Sequence, residues 1–284
     1  MFANPRIAFF GNSDISRIVL ERLAARGIMP DLVVTTPDKP VGRTQTLVPT
    51  PTKAWAEENG VEYAEVAKLS DPAFLEKIKD HGLFIVASYG KIIPKSLIDM
   101  PKYGVLNIHP SLLPKYRGAS PLQAEILADE KDVGVTIMRI DEEMDHGPIV
   151  AEKKIDIPDW PVGFRRLAEI LGAAGAEMLA DILQDYIKGN VRLQEQDHAA
   201  ATFTKKTGKT DGRLDLADDP RKNYLKILAY EEWPGTYFEI ERNGKNIRVI
   251  VKKAELQNGE LKILRVLPEG KKEMDYDAFL RGSR

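Results

Sequence analysis

The stretch Val105-Leu106-Asn107-Ile108-His109-Pro110-Ser111-Leu112-Leu113-Pro114 decides how the chain is read. Its apolar Val105, Leu106 and Ile108, with Gly104 before them and Pro110 after, form the pattern of a short buried strand. Asn107 and His109 are two residues apart, so in an extended chain both project from one face near the strand's carboxyl end. There an amide can donate a hydrogen bond to a developing oxyanion, and an imidazole can move protons, the two tasks that chemistry at a carbonyl requires. After the next predicted helix and strand comes Asp141-Glu142-Glu143-Met144-Asp145-His146-Gly147, a polar loop able to set Asp145 beside the imidazole. Asp145 would then fix the tautomer of His109 or take up its proton. Taken singly, each residue also has a plain structural reading: Asn107 capping a turn, His109 a satisfied histidine beside a proline, Asp145 closing a turn with Gly147.

Outward from this stretch, strand and helix patterns alternate. Arg6-Ile7-Ala8-Phe9-Phe10-Gly11 reads as a strand, and a helix from Ser13 or Asp14 carries Ile15, Ile18, Val19 and Leu23 on one face and stops at Gly27. Asp31 to Thr35 is a second strand. A helix over Asp71 to Asp80, with Asp71 as cap and Pro72 at its first position, precedes a strand over Leu83 to Ser88. A helix over Pro121 to Leu127 and a strand over Val133 to Ile140 follow, then a long helical pattern between Asp159 and Gly189. This alternation predicts an α/β unit over residues 1–189, a doubly wound, Rossmann-like, mostly parallel sheet whose ligands lie beyond the carboxyl ends of its strands. Gly11, Tyr89, Asn107 and the Asp141 to Gly147 loop all fall at that edge. The single glycine of Gly11-Asn12-Ser13-Asp14 is not a G-x-G-x-x-G turn, and no Gly-Lys-Ser/Thr phosphate loop occurs, which disfavours a dinucleotide or a nucleoside triphosphate.

Residues 190–204 lack periodicity and read as a linker. Over residues 205–284, Tyr237 to Glu241, Ile247 to Val251 and Leu261 to Leu267 are short strands separated by Asn243-Gly244 and Asn258-Gly259, both hairpin signals. They predict a small C-terminal antiparallel β-barrel, OB-like.

The bulk numbers suit two ordinary globular domains. In 284 residues, 43% are hydrophobic and 30% charged, and no apolar run approaches the roughly 18 residues that span a bilayer. The start, Met1-Phe2-Ala3-Asn4-Pro5-Arg6, enters a strand with no signal-peptide pattern, so the expectation is cytoplasmic. With no cysteine and only the scattered His81, His109, His146 and His198, no thiolate chemistry and no metal are expected. The net charge of -2 is unevenly placed: from Lys205 onward, 18 basic residues face 14 acidic ones, against 23 and 29 in the remainder. An acidic body with a basic tail domain suits phosphate contact, as well as an ordinary solvated surface.

Taken together, Asn-x-His-x-Ser-Leu-Leu-Pro-x-x-Arg-Gly from Asn107 to Gly118, then Asp-x-x-x-Asp-x-Gly from Asp141 to Gly147, resembles the signature of the folate-dependent formyltransferases. Within that superfamily the chain is most similar to the methionyl-tRNA formyltransferases. Pro37-Asp38-Lys39-Pro40-Val41-Gly42-Arg43, closing with Pro49-Thr50-Pro51-Thr52-Lys53, resembles the loop with which that family grips the acceptor end of initiator tRNA, although Thr44-Gln45-Thr46 stand where lysines are usual. Ala201 to Lys206, Asp211 to Asp215, Trp233-Pro234-Gly235 and the closing Pro268 to Lys272 and Phe279 to Gly282 resemble its carboxyl-terminal domain.

The resemblance implies transfer of a formyl group from 10-formyltetrahydrofolate, as cosubstrate, to the amine of methionyl initiator tRNA, with Asn107, His109 and Asp145 catalytic. It implies a folate site near Ser88, Tyr89, Gly90, Ile92, Ile93, Ser111, Leu112, Leu113, Pro114, Asp141 and Met144, with the pterin held largely by main-chain groups. It implies tRNA contacts from Lys39, Arg43, Lys53, Lys205, Lys206, Lys209 and Arg213. Arg117 would either pack the loop under the site or touch substrate. No membrane and no obligate protein partner are implied. An N-formyltransferase acting on a nucleotide-linked amino sugar would share the three catalytic residues without needing Arg43 or the basic tail domain. A non-catalytic folate or RNA binder would need none of the three.

Overall fold

The computed structural model describes residues 5–41, 46–242 and 244–282. The expected strand β1 (Ile7–Phe10) leads into α1 (Asp14–Ala25), whose start is fixed by a capping box between Ser13 and Ser16. β2 (Leu32–Thr35) is followed by a hairpin of β3 (Lys39–Val41) and β4 (Thr46–Val48) in the loop singled out from sequence. Arg43 lies outside the described residues. α2 (Pro51–Asn59) starts on a Thr50 cap with Pro51 at its first position and ends at the left-handed Gly60. β5 (Glu62–Glu65), α3 (Pro72–Ile78, capped by Asp71), β6 (Leu83–Val86), the single turn α4 (Lys95–Ile98), β7 (Val105–His109) and β8 (Arg117–Gly118) come next. They are followed by α5 (Pro121–Leu127), β9 (Gly134–Arg139), β10 (Ile149–Lys154), α6 (Phe164–Ile187) and β11 (Phe203–Thr204).

Seven strands form one sheet in the order β10-β9-β7-β6-β1-β2-β5. β5, β2, β1, β6 and β7 run parallel; β9 joins β7 antiparallel, and β10 at the edge pairs antiparallel with β9. The near-continuous apolar runs of the central strands follow from burial on both faces. Ile7, Phe9, Leu83 and Ile85 enter one core cluster with Leu20, Trp55, Leu179 and Leu183; Ala8, Phe10, Phe84 and Val86 enter another with Phe74, Ile78 and Leu97. The period of two thus divides each strand between two cores.

The chain divides into two compact units, and not at a single point. One holds the residues up to Gly118, Asp132–Asp156 and Ala168–Phe203; the other holds Ala119–Lys131, Ile157–Leu167 and Thr204 onward. Residues 190–204 are not free chain, because Val191 and Leu193 pack on the first unit's core and Gln194 exchanges two main-chain hydrogen bonds with Ile149. The apolar alternation of Val191 and Leu193 and the open side of β10 account for this.

In the second unit, α5 packs on α7 (Pro220–Ala229). β12 (Thr236–Arg242), β13 (Lys245–Gln257), β14 (Glu260–Pro268) and β15 (Met274–Asp275) form an antiparallel sheet in that order, with α8 (Tyr276–Arg281) after it. β13 is much longer than its apolar run, since irregularities between Val251 and Ala254 let it continue past the point where alternation breaks. Leu214, Phe238, Val249, Val266 and Phe279 fill this unit's core. Asn243 lies outside the described residues, and Asn258 and Gly259 both have the positive φ that a tight hairpin demands.

Candidate active site

β7 ends at the carboxyl edge of the parallel strands with Asn107 and His109 opposite Met138 and Thr136 of β9. The loop after β9 brings Asp145 to them. Its Oδ1 lies 3.4 Å from the Asn107 Nδ2, which donates to it, and 3.6 Å from the His109 Nδ1. Its Oδ2 accepts a 2.7 Å hydrogen bond from the Gly118 main-chain N–H. His109 is buried, and its Nε2 stands 3.2 Å from the Tyr116 carbonyl oxygen. The two ring nitrogens of His109 thus face the Asp145 carboxylate and the Tyr116 carbonyl oxygen.

Asp145 takes a left-handed backbone conformation, φ 50°, uncommon for a residue with a side chain. Two residues on, a Cβ at Gly147 would collide with the Arg139 carbonyl oxygen, so the return of the loop to the sheet admits only glycine. Sequence reading did not anticipate Gln196, buried beneath this loop, whose Nε2 donates to the Asp145 carbonyl at 3.0 Å and the Gly147 carbonyl at 2.7 Å. It stands in a stretch without periodicity, and no local signal marks it. Arg117, which sequence left between packing and substrate contact, is also buried and donates to the Gln196 Oε1 from Nε and Nη2 at 3.1 and 2.6 Å.

The expected folate residues fall into three groups. Ser88 and Gly90 have φ of 48° and 72°, and the Tyr89 carbonyl between them accepts from the Asn12 Nδ2 at 2.7 Å, which ties the loops after β1 and β6 together. Ser16 reinforces the tie by donating to the Ala87 carbonyl at 2.6 Å. Tyr89 and Ile93 are buried, whereas Ile92 is 84% and Met144 61% exposed. Asp141 accepts from the Glu143 N–H and faces the His146 Nδ1 at 2.6 Å, and Lys95 of α4 pairs with Glu142. Ser111 to Pro114 lies against β9: the Thr136 hydroxyl donates to the Ser111 carbonyl and accepts from the Leu113 N–H, and the Leu112 side chain covers Gly134.

Of the cations expected to meet tRNA, Lys39 and Lys53 belong to the first unit and Lys205, Lys206, Lys209 and Arg213 to the second. Lys53 is held by Asp38 at 2.8 Å and Glu65 at 3.1 Å, which raises its ammonium above the ordinary lysine range, chiefly through the Asp38 hydrogen bond. The backbone of Lys39 pairs with Val48 in the hairpin. In the second unit Lys205, Lys206 and Lys209 are exposed, and Arg213 pairs with Glu239 at 3.0 Å. Among the described residues no group of three or more His, Cys, Asp or Glu side chains is arranged to hold a metal ion, and no helix is long and apolar enough to cross a membrane. Two shallow clefts, one beside Arg6, Met29 and Asp31 and one beside Tyr103 and Arg139, open at the opposite end of the strands and hold no comparable acid–base set.

Comparison with known proteins agrees with this arrangement. The model of the formyl transferase family matches residues 5–160. The methionyl-tRNA formyltransferase of Thermus thermophilus is 38% identical over 269 residues, 93% of this chain and 86% of that protein. That of Desulfotalea psychrophila is 34% identical, covering 98% of this chain and 93% of its own length. Among solved structures, a methionyl-tRNA formyltransferase from Clostridium thermocellum superposes with a TM-score of 0.60 at 15% identity, covering 96% of this chain and all of that one, and so supports the fold. With a matching family model over more than half its length and relatives this similar over nearly all of it, the chain belongs to the formyltransferase family, on its methionyl-tRNA formyltransferase branch.

Proposed function

We propose that this chain transfers the formyl group of 10-formyltetrahydrofolate to the amino group of the methionine carried by initiator tRNA. The observation behind this reading is the meeting of Asn107, His109 and Asp145 around one carboxylate oxygen at the end of β7. When bound, 10-formyltetrahydrofolate supplies an electrophilic formyl carbon attached to nitrogen. The residues present fit such a ligand: Ile92 and Met144 leave large apolar side chains in solvent, and left-handed Ser88 and Gly90 shape main chain that can meet a flat polar ring.

The Asn107 amide donates to the formyl oxygen as charge develops there under attack by the amine. His109, beside the same oxygen, carries a proton to the departing nitrogen. Asp145 Oδ1, directly or through one water, takes the proton that the attacking amine must lose. The proton taken up by Asp145 passes to His109, whose Nδ1 lies 3.6 Å from Oδ1, and one proton joins the departing nitrogen, so that Asp145 and His109 end as they began. Removing one oxyanion donor typically costs about 3 kcal/mol, roughly a hundredfold in rate.

Lys39, Arg43, Lys205, Lys206 and Lys209 are assigned to tRNA phosphates, whereas Lys53 and Arg213 are already engaged by carboxylates of their own unit. Such contacts position the acceptor end and weaken as salt rises. With a tRNA acceptor, the place of action is the cytoplasm. The test is formyl transfer to methionyl initiator tRNA, run beside nucleotide-linked amino sugars, with Asn107→Ala protein as the blank. Transfer to the tRNA is the expected result; transfer to a sugar alone, or to neither, overturns the assignment.

A further inference from the structure

Gln196 spends its whole hydrogen-bonding capacity on two neighbours of the candidate site. Its amide donates to the carbonyls of Asp145 and Gly147, and its carbonyl accepts two bonds from the Arg117 guanidinium. A primary amide offers two N–H groups and two lone pairs, so nothing is left over. Arg117 is braced in turn, since its Nη2 also meets the His198 Nδ1 at 2.9 Å. Because a guanidinium only donates, that nitrogen of His198 is the acceptor. The His198 ring stacks on His146, centroids 4.0 Å apart and 4° between planes, and His146 adjoins Asp145 in the chain.

These contacts converge on the one residue of the catalytic trio whose backbone is unfavourable. Left-handed geometry at a residue bearing a side chain is unfavourable and persists where the surroundings impose it. Gln196 imposes it from beneath by holding the carbonyls on either side of His146. β8 imposes it from the side, since the residue beside Arg117, Gly118, donates its N–H to Asp145 Oδ2. The carboxylate is thereby aimed with Oδ1 toward Asn107 and His109.

We infer that Gln196, braced by Arg117, is a positioning residue that holds Asp145 in its strained backbone conformation and so sets the proton-transfer geometry of the site. This rests on the formyl-transfer reading. Misplacing a catalytic group by about 1 Å can cost about a hundredfold in rate without touching substrate binding. The inference therefore places the effect of Gln196 in kcat and not in KM.

Gln196→Glu isolates the role. A glutamate keeps the bonds from Arg117 but turns an oxygen, in place of an N–H pair, toward the two loop carbonyls. Gln196→Met removes both sets at similar volume. The expected result for Gln196→Glu is a fall in kcat of about tenfold or more, KM for both substrates within about twofold, a pH–rate profile displaced from that of the wild type, and a thermal midpoint close to it. Gln196→Met should lose stability as well as kcat. An unchanged kcat in Gln196→Glu, or a loss that matches the unfolded fraction and keeps the wild-type pH profile, overturns the inference. A substrate-free readout separates this from failure of the functional reading. If the wild type transfers nothing to methionyl-tRNA, the functional reading fails. The titration of the His109 ring followed by NMR then still decides: a changed titration in Gln196→Glu supports Gln196 as the support of Asp145, and coincident curves reject it.

Discussion

The Gly118 main-chain N–H and the Asp145 carboxylate are joined at 2.7 Å through Oδ2, which leaves Oδ1 as the oxygen shared by Asn107 and His109. The two oxygens of one carboxylate are thus divided between anchoring and chemistry. An Asp145→Asn variant that keeps its anchor from Gly118 must turn its NH2 toward Asn107 and His109, and in neither orientation can it accept the amine's proton. We expect kcat to fall by about 10²–10⁴-fold, with near-native binding of tRNA and folate. Single-turnover transfer alongside direct binding measurements checks this, and transfer at a tenth of the wild-type rate or better would count against Asp145 as the base.

His109 is expected to behave differently from Asn107. Asn107→Ala removes one oxyanion donor and should cost about a hundredfold at every pH. His109→Ala removes a proton carrier as well, so the residual rate should also lose one limb of its pH dependence. Profiles of kcat/KM for the two variants test this, and parallel profiles would argue that His109 acts only by hydrogen bonding.

Gly147→Ala places a methyl group against the Arg139 carbonyl, on main chain that cannot yield cheaply. The loop must shift, carrying Asp145 with it. We expect a stability loss of about 1–3 kcal/mol with retained secondary structure, and a larger proportional loss of activity. Chemical denaturation and far-ultraviolet dichroism, read beside turnover, check both parts; wild-type stability and activity together would contradict the placement of this turn.

Glu125 of α5 is fully buried, with neither carboxylate oxygen partnered, and burial, with a smaller contribution from the Glu130 charge, pushes its pKa up to about 9. A carboxyl raised in the folded state binds its proton more tightly there than in the unfolded chain. Its contribution is therefore fully present below the ordinary glutamate range and is lost as pH rises toward 9. Glu125→Gln keeps the shape and removes the titration. Urea denaturation between pH 6 and pH 9 should show the wild type losing more stability than the variant; parallel curves would refute the assignment.

Arg43 and Lys53 carry opposite expectations. Lys53 is already neutralised by Asp38 and Glu65, so Lys53→Met should loosen the base of the loop without changing the salt dependence of tRNA binding. Arg43→Ala, if Arg43 contacts a phosphate, should reduce the log–log salt slope by about 1 and leave the KM for folate unaltered. Equal salt slopes in Arg43→Ala and wild type would remove it from the interface.

Much of the first unit was legible because its signals are local. The start of α1 at Ser13 and that of α3 at Asp71-Pro72 are written in side chains that satisfy free amides within a turn, and both stand as read. β7 was legible for the same reason, since one five-residue run carries both its buried apolar positions and the Asn107 and His109 pair. The long helix begins at Phe164 and not at Asp159, because Pro158-Asp159 first makes a turn, closed by the Trp160 N–H on the Ile157 carbonyl. β5, Glu62-Tyr63-Ala64-Glu65, went unseen: an edge strand needs little apolar character, and charge there discourages pairing with another chain. α7 and β10 were also unannounced, as neither carries an unbroken apolar stripe.

By itself, then, the sequence determined the alternation of elements and the family, and singled out Asn107, His109 and Asp145 as a candidate trio, because these depend on residue type and short spacing. Only the tertiary structure decided which oxygen of Asp145 faces the chemistry, that Lys53 is spent on internal ion pairs, and that Gln196 supports the loop. Gln196 and Asp145 are 51 residues apart, and their hydrogen bond exists only because the chain after α6 runs back beneath the end of β7. Such a contact leaves no periodic trace in sequence, since its energy comes from burying and pairing polar groups that folding brings together.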